Sequence, residues 1–338
     1  MKNIIDCNNA KITVMGRILR LDEGIAFSYP GVSISFNVQA KNVELVAKCA
    51  VGKGRIDVII NNTLSKQLVI AKTPRTFRIF SAKHKQNVKI ELLNRGESWH
   101  GVINLISLLI QDGELIEPPQ LPDRKLIFIG DSIVTGALME RHPNAKKGPQ
   151  LANAYQSFGM QLGRLLKAQV HLIGFGGRGL IQGSNMLASE AQLPEIFPLT
   201  IPVPPYTQKW PVDAYIPDGI FICLGTNDFY TNTPDLSIFK RTYALGVKHL
   251  LNLYPDVQIM ISEGPMLCDT SENEVKKRIL IQSLKDLVDE LKEPQLDYLA
   301  CINCKGDNFD PHPTLAQHTQ LARHFMPLIQ QSLRWPEN

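Results

Sequence analysis

No stretch of this sequence approaches the roughly 18 to 20 consecutive apolar residues of a membrane span. The longest apolar segments are interrupted, as at Val102-Ile103-Asn104-Leu105. The amino terminus has an early lysine but neither an apolar core of signal-peptide length nor a small-residue cleavage site. These absences predict a soluble protein, cytoplasmic for want of a signal peptide, with export by another route left open. Cysteine is sparse: six in 338 residues is too few for a disulfide scaffold. Cys301 and Cys304 form a lone CxxC without a second ligand pair nearby, so it is read as two thiols at a strand end, and no metal is expected. Charge of one sign is missing as well. Thirty-six Lys and Arg against 32 Asp and Glu leave a formal +4, and short basic runs such as Lys146-Lys147 and Lys276-Lys277-Arg278 are mixed with acids. Those runs read as solvated faces or loops, and no nucleic-acid partner is expected.

What is present divides into two halves. From Lys11 to about Asp112 the chain offers short runs with alternating or β-branched apolar residues, among them Val32–Phe36, Val43–Val46, Ile56–Ile60, Phe77–Phe80 and Val88–Leu92. Closely spaced strands without a helix between them predict an antiparallel β-sandwich over residues 1–112. Pro118, Pro119 and Pro122 then interrupt any regular pattern, which marks 113–124 as a linker. Beyond it, Leu126–Ile129 and Ile220–Leu224 are continuous apolar runs, as strands covered on both faces require. Helix-period segments over 153–167, over 271–292 and from Thr314 onward alternate with such strands. Residues 125–338 therefore read as an α/β domain with a parallel sheet, whose ligands bind at the carboxyl ends of the strands.

Four segments at such strand ends carry chemistry. The strand ending at Ile129 runs into Gly130-Asp131-Ser132 before a helix start. A serine there is exposed at the sheet edge beside helix amides, which suits a nucleophile whose attack creates an oxyanion. Taken alone, the triplet reads equally as a helix cap. Gly225-Thr226-Asn227-Asp228 follows the second apolar strand in the same way, placing the Asn227 amide at the same edge. Gly174, Gly176, Gly177 and Gly179 follow a third strand and let backbone N–H groups approach a ligand; their spacing is not a dinucleotide fingerprint. Asp310-Pro311-His312-Pro313 lies on a proline-stiffened loop before the last helix, whose Thr314 and Gln317 form a capping box. Imidazole is the natural base for a serine hydroxyl at neutral pH, and a carboxylate can set its tautomer. The remaining histidines lack a comparable setting; His318 and His324 fall within the last helix pattern.

In order and content these blocks resemble the SGNH (GDSL-like) hydrolases, and the GxSxG elbow of α/β-hydrolases is absent. The upstream sandwich, Glu97-Ser98-Trp99-His100-Gly101 near its end, the proline-rich linker and the segment from Lys209 to Asp218 are similar to carbohydrate esterase family 2. The resemblance implies a jelly roll joined to a flavodoxin-like three-layer SGNH domain, and a serine esterase that deacetylates sugars or glycans without a cofactor. It further implies Ser132 as nucleophile, His312 as general base and Asp310 as its orienting acid, although some relatives use a backbone carbonyl instead. The oxyanion is assigned to the Ser132 and Gly177 amides and the Asn227 side chain, with Gly179 as the other glycine candidate. Trp210 is expected to stack on sugar, and an acetylated carbohydrate is the expected partner. Two other readings stay open: an acylhydrolase or thioesterase on lipid or other acyl esters, and a non-catalytic glycan-binding protein. Oligomeric state is not legible.

Overall fold

Alternating burial along the first hundred residues and continuous burial in the later strands build two different sheets. A computed structural model describes residues 2–142, 144–184 and 190–336. It divides the chain into one unit of residues 1–121 with 200–208, and a second of 122–199 with 209–338.

The first unit is antiparallel throughout, and its central strands are Ser33–Gly52, Arg75–Asn94 and Gly101–Gln111. Two pairs of short runs in the sequence are thereby joined. Val32–Phe36 and Val43–Val46 fall almost wholly on one strand, and Phe77–Phe80 and Val88–Leu92 on another. The register shifts between Ala40 and Asn42 and between Val43 and Glu44 bend the strand without ending its hydrogen bonding. Part of the stretch expected as linker also pairs: Glu114–Leu115 bonds to Gln39 and Val38. Thr200–Gln208 belongs to this unit because Ile201 and Val203 bury with Ala26 and Val102.

In the second unit, β1 (Arg124–Gly130), β2 (Ala168–Gly174), β3 (Gly219–Cys223), β4 (Gln258–Ser262) and β5 (Leu296–Tyr298) pair in parallel in the order β2-β1-β3-β4-β5. This order reverses at the β1/β3 neighbours, where open α/β sheets leave a crevice at their carboxyl ends. The helices are α1 (Ser132–Thr135), α2 (Phe158–Leu166), α3 (Leu193–Ile196), α4 (Thr226–Tyr230), α5 (Leu236–Leu253), α6 (Ser271–Leu291) and α7 (Leu315–Ser332). Phe128 of β1, Phe158 of α2, Phe221 of β3 and Phe325 of α7 pack with ring centroids 4.8 to 5.9 Å apart, locking two helices to the sheet. α2 starts later than its apolar period suggests. Asn153 caps a separate turn at Ala154–Gln156, and Ser157 is extended, so the helix opens at Phe158. α7 has the expected Thr314–Gln317 capping box. No described helix is long and apolar enough to cross a membrane.

Candidate active site

The end of β1 delivers Ser132 as the first residue of α1, and the end of β3 delivers Asn227 in α4, so both flank the sheet's reversal point. Asp131 caps α1 by accepting the Ile133 N–H at 2.9 Å. It therefore takes the cap role, which leaves the Ser132 hydroxyl to face His312.

His312 Nε2 lies 2.8 Å from Ser132 Oγ, and His312 Nδ1 lies 2.6 Å from Asp310 Oδ1. A neutral imidazole protonated on Nδ1 satisfies both bonds, donating to the carboxylate and accepting from the serine. Asp310 Oδ1 also accepts the His312 backbone N–H at 3.0 Å, and Oδ2 pairs with Lys147 Nζ at 2.8 Å. Burial pushes Asp310 up, but its hydrogen bonds with His312 and Lys147 outweigh that and hold it well below the usual carboxylate range. The histidine loop is pinned from outside by Arg141, which donates to Asp307 Oδ1 at 2.5 Å, to the Asp310 carbonyl at 2.7 Å and to the His312 carbonyl. Asp307 in turn accepts the Phe309 and Asp310 N–H groups.

The glycine block is held by a residue from the other motif. Asp228 is buried and accepts the N–H groups of Leu180, Ile181 and Gln182 at 2.8 to 3.1 Å. Burial raises its pKa against these backbone bonds. Gly177 adopts φ +79°, a left-handed conformation suited to glycine, and its carbonyl accepts the Ser184 N–H at 3.1 Å. The Ser132 N–H, at the first position of α1, has no partner within the helix. Gly179 is a different case: its N–H donates to Gln192, and a Cβ there would lie 2.5 Å from the Asp228 carboxylate. Close packing requires that glycine, and its amide is already used.

Asn227 Nδ2 donates to Asp131 Oδ2 and to the Arg178 carbonyl, both at 2.9 Å. The amide thus ties the serine turn to the glycine loop, and an oxyanion would share one of its protons with these acceptors. Burial pushes Asp131 up to about 6, against the Ile133 N–H and the His312 charge, while Asp228 adds to the rise.

The structure brings Ser132, His312, Asp310 and Asn227 into one hydrogen-bonded region but seats Trp210 elsewhere. The indole meets His171 edge-on at 6.0 Å between ring centroids, and its N–H backbone group donates to the Pro198 carbonyl. His171 pairs in register with Ile127, three residues before Gly130 at the strand end. Trp210 thus makes a packing contact against the middle of β2. Of the basic runs, Lys147 is exposed and pairs with Asp310, whereas Lys276 and Lys277 are buried, against the expected solvated face, and donate to the Tyr230 and Thr231 carbonyls and to Asn303. His318 is buried and accepts the Phe158 N–H. Among the described residues no group of three or more His, Cys, Asp or Glu could hold a metal. Arg141 escaped the sequence reading because it lies about 170 positions from the loop it clamps.

Fold and site define a carboxylic ester hydrolase of the GDSL type. Residues 128–322 match the GDSL-like Lipase/Acylhydrolase family, and residues 14–119 match the Carbohydrate esterase 2 N-terminal family. The chain is 32% identical over 332 residues to an acetylxylan esterase / glucomannan deacetylase of Cellvibrio japonicus, covering 98% of this chain and 91% of that protein. A solved family two carbohydrate esterase from Cellvibrio japonicus aligns at a TM-score of 0.94 and 31% identity over 99% of both chains. One from Clostridium thermocellum, solved with cellohexaose, aligns at 0.87 and 22% identity over 96% of this chain and 100% of that one. The chain belongs to the family two carbohydrate esterases.

Proposed function

We propose that this protein removes acetyl groups from O-acetylated sugars or glycans through an acetyl-enzyme on Ser132. The observation that carries the reading is the unbroken chain from Ser132 Oγ through His312 to Asp310. Ser132 Oγ attacks the acetyl carbonyl while His312 Nε2 takes its proton, and Asp310 stabilises the imidazolium. The two amides, with Asn227 sharing a proton, receive the negative charge on the carbonyl oxygen. Collapse expels the sugar alkoxide, which takes the proton from His312. Water then attacks the acetyl-enzyme with His312 again as base, releasing acetate and restoring the serine.

The names and titles of the relatives support a carbohydrate ester as substrate, and the mechanism needs no cofactor. Ser132→Ala should lower hydrolysis of acetylated hexoses and xylan by several orders of magnitude with Tm unchanged. Activity within about tenfold of wild type would refute the serine mechanism. In Asp310→Asn the substituted amide disfavours the productive tautomer, so kcat should drop about 10³- to 10⁴-fold. A loss below tenfold would assign the orienting role to a backbone carbonyl. Faster turnover of longer p-nitrophenyl acyl esters than of sugar acetates would favour a general acylhydrolase.

A further inference from the structure

The histidine loop has to be located against the nucleophile, and the carboxylate that orients the base cannot do this. Asp310 lies two positions before His312, so the bond between their side chains turns the ring within the loop but travels wherever the loop travels. The buried contact that reaches this loop from the nucleophile's own segment is Arg141. All three of its guanidinium nitrogens donate. Nε bonds to the Leu138 carbonyl at 2.6 Å, Nη1 to Asp307 and to the Asp310 carbonyl at 2.7 Å, and Nη2 to the carbonyl of His312 itself. The Arg141 side chain is 6% exposed, which confines the fork to this one arrangement.

The far end of the contact is equally fixed. Leu138 takes φ +50°, a left-handed conformation that a bulky side chain rarely adopts. Its carbonyl is the one that receives Nε. Backbone strain of this kind persists only where the surroundings over-determine it, and it concentrates at functional sites. Immediately before Leu138, the Ala137 N–H donates to the Ser132 carbonyl at 3.0 Å, and the Thr135 hydroxyl donates to the same carbonyl at 2.9 Å. We propose that Arg141 is a positioning residue for the serine mechanism put forward above, on which this role rests: its guanidinium is a strut between the turn that follows Ser132 and the carbonyl of His312, and it sets the distance at which His312 Nε2 meets Ser132 Oγ. The planar fork matters more than the charge. A lysine carries the same charge but ends in a single nitrogen, which cannot serve Leu138 and His312 together. Displacing a base by about 1 Å costs roughly 100-fold in rate, and that loss falls on the chemical step rather than on substrate binding.

Arg141→Lys, Arg141→Ala, Ser132→Ala and wild type are compared on p-nitrophenyl acetate, at a temperature where melts show each protein folded. Both Arg141 variants should lose kcat about 10- to 100-fold with KM within about threefold. Guanidinium chloride at a non-denaturing concentration should restore Arg141→Ala by about fivefold or more, whereas ammonium chloride at the same ionic strength should not. A merely structural role would not respond to the shape of the added cation. Wild-type kcat within about twofold in Arg141→Lys, a change confined to KM, or an equal response of Arg141→Ala to the two salts would each overturn the proposal. The lysine variant decides the matter if the alanine variant does not fold. Hydrolysis retained in Ser132→Ala refutes the serine mechanism itself, while an inert Ser132→Ala beside an unimpaired Arg141→Lys refutes only the role of Arg141.

Discussion

Lys147 Nζ lies 2.8 Å from Asp310 Oδ2, while the other oxygen of that carboxylate serves His312. One carboxylate is therefore divided between a cation and the His312 imidazole. With its folded pKa depressed, Asp310 contributes stability that is present above the ordinary carboxylate value near 4 and lost as pH falls through the folded value. Lys147→Met removes one of the bonds that lower it, so the acid loss should begin at a higher pH. The lysine side chain is 58% exposed and solvent screens the pair, which limits the fall in kcat/KM near neutrality to about two- to fivefold. Thermal melts of both proteins from pH 6 to pH 3 check the shift. Superimposable pH dependences would show that Lys147 contributes nothing to the carboxylate.

A second long-range positioning contact runs from Asp228 to the glycine loop. Asp228→Asn replaces one acceptor oxygen with an amide that faces the N–H groups of Leu180, Ile181 and Gln182. The loop bearing Gly177 loses its anchor, so kcat should drop roughly 10- to 100-fold with KM changing much less, since misplacing an oxyanion donor acts on the transition state. A change confined to KM would point instead to a role in binding substrate.

These contacts mark where local sequence stops being informative. Ser132, Asn227 and His312 are legible because each follows a strand or precedes a helix with recognisable residue types, and strand ends converge in a parallel sheet. The antiparallel character of the first unit is legible from alternation, but bulges are not, which is why two long strands read as four short ones. Lys147 looks like one of many loop lysines until the fold brings it to Asp310. Asp228 stands in a visible motif, yet its work depends on a loop some 46 to 48 residues away.

Asp131 supplies a pH test of opposite sign. Burial pushes it up to about 6, above its ordinary value near 3.9, so the folded state holds this proton more tightly than the unfolded state. Its contribution to stability is fully present below about pH 4 and is lost as pH rises through about 6. Asp131→Asn lacks that dependence, although it gives up the acceptor for Asn227 at every pH. The stability of the variant relative to wild type should therefore improve between pH 4 and pH 7 by on the order of 2 kcal/mol. Chemical denaturation at both pH values measures the difference, and a constant gap would mean that Asp131 is not raised.

Trp210 separates a sugar platform from a structural contact. Its ring meets His171 edge-on, and His171 stacks on Tyr215 at 3.6 Å between centroids, with the Tyr215 hydroxyl donating to the Leu126 carbonyl at 3.2 Å. This stack covers β2 at the level of Ile127. Three strand residues correspond to about 10 Å, so the indole packs well below the edge from which Ser132 emerges. Trp210→Ala removes an aromatic contact from a half-buried position, a loss of about 1 to 3 kcal/mol, and should lower Tm by several degrees. Any fall in kcat/KM should then be the same for acetylated sugars and for p-nitrophenyl acetate, because a destabilised sheet does not distinguish substrates by size. A rise in KM restricted to the sugar substrates, with Tm unchanged, would instead place the indole on the carbohydrate and require the loop before Tyr215 to take a different position when substrate binds.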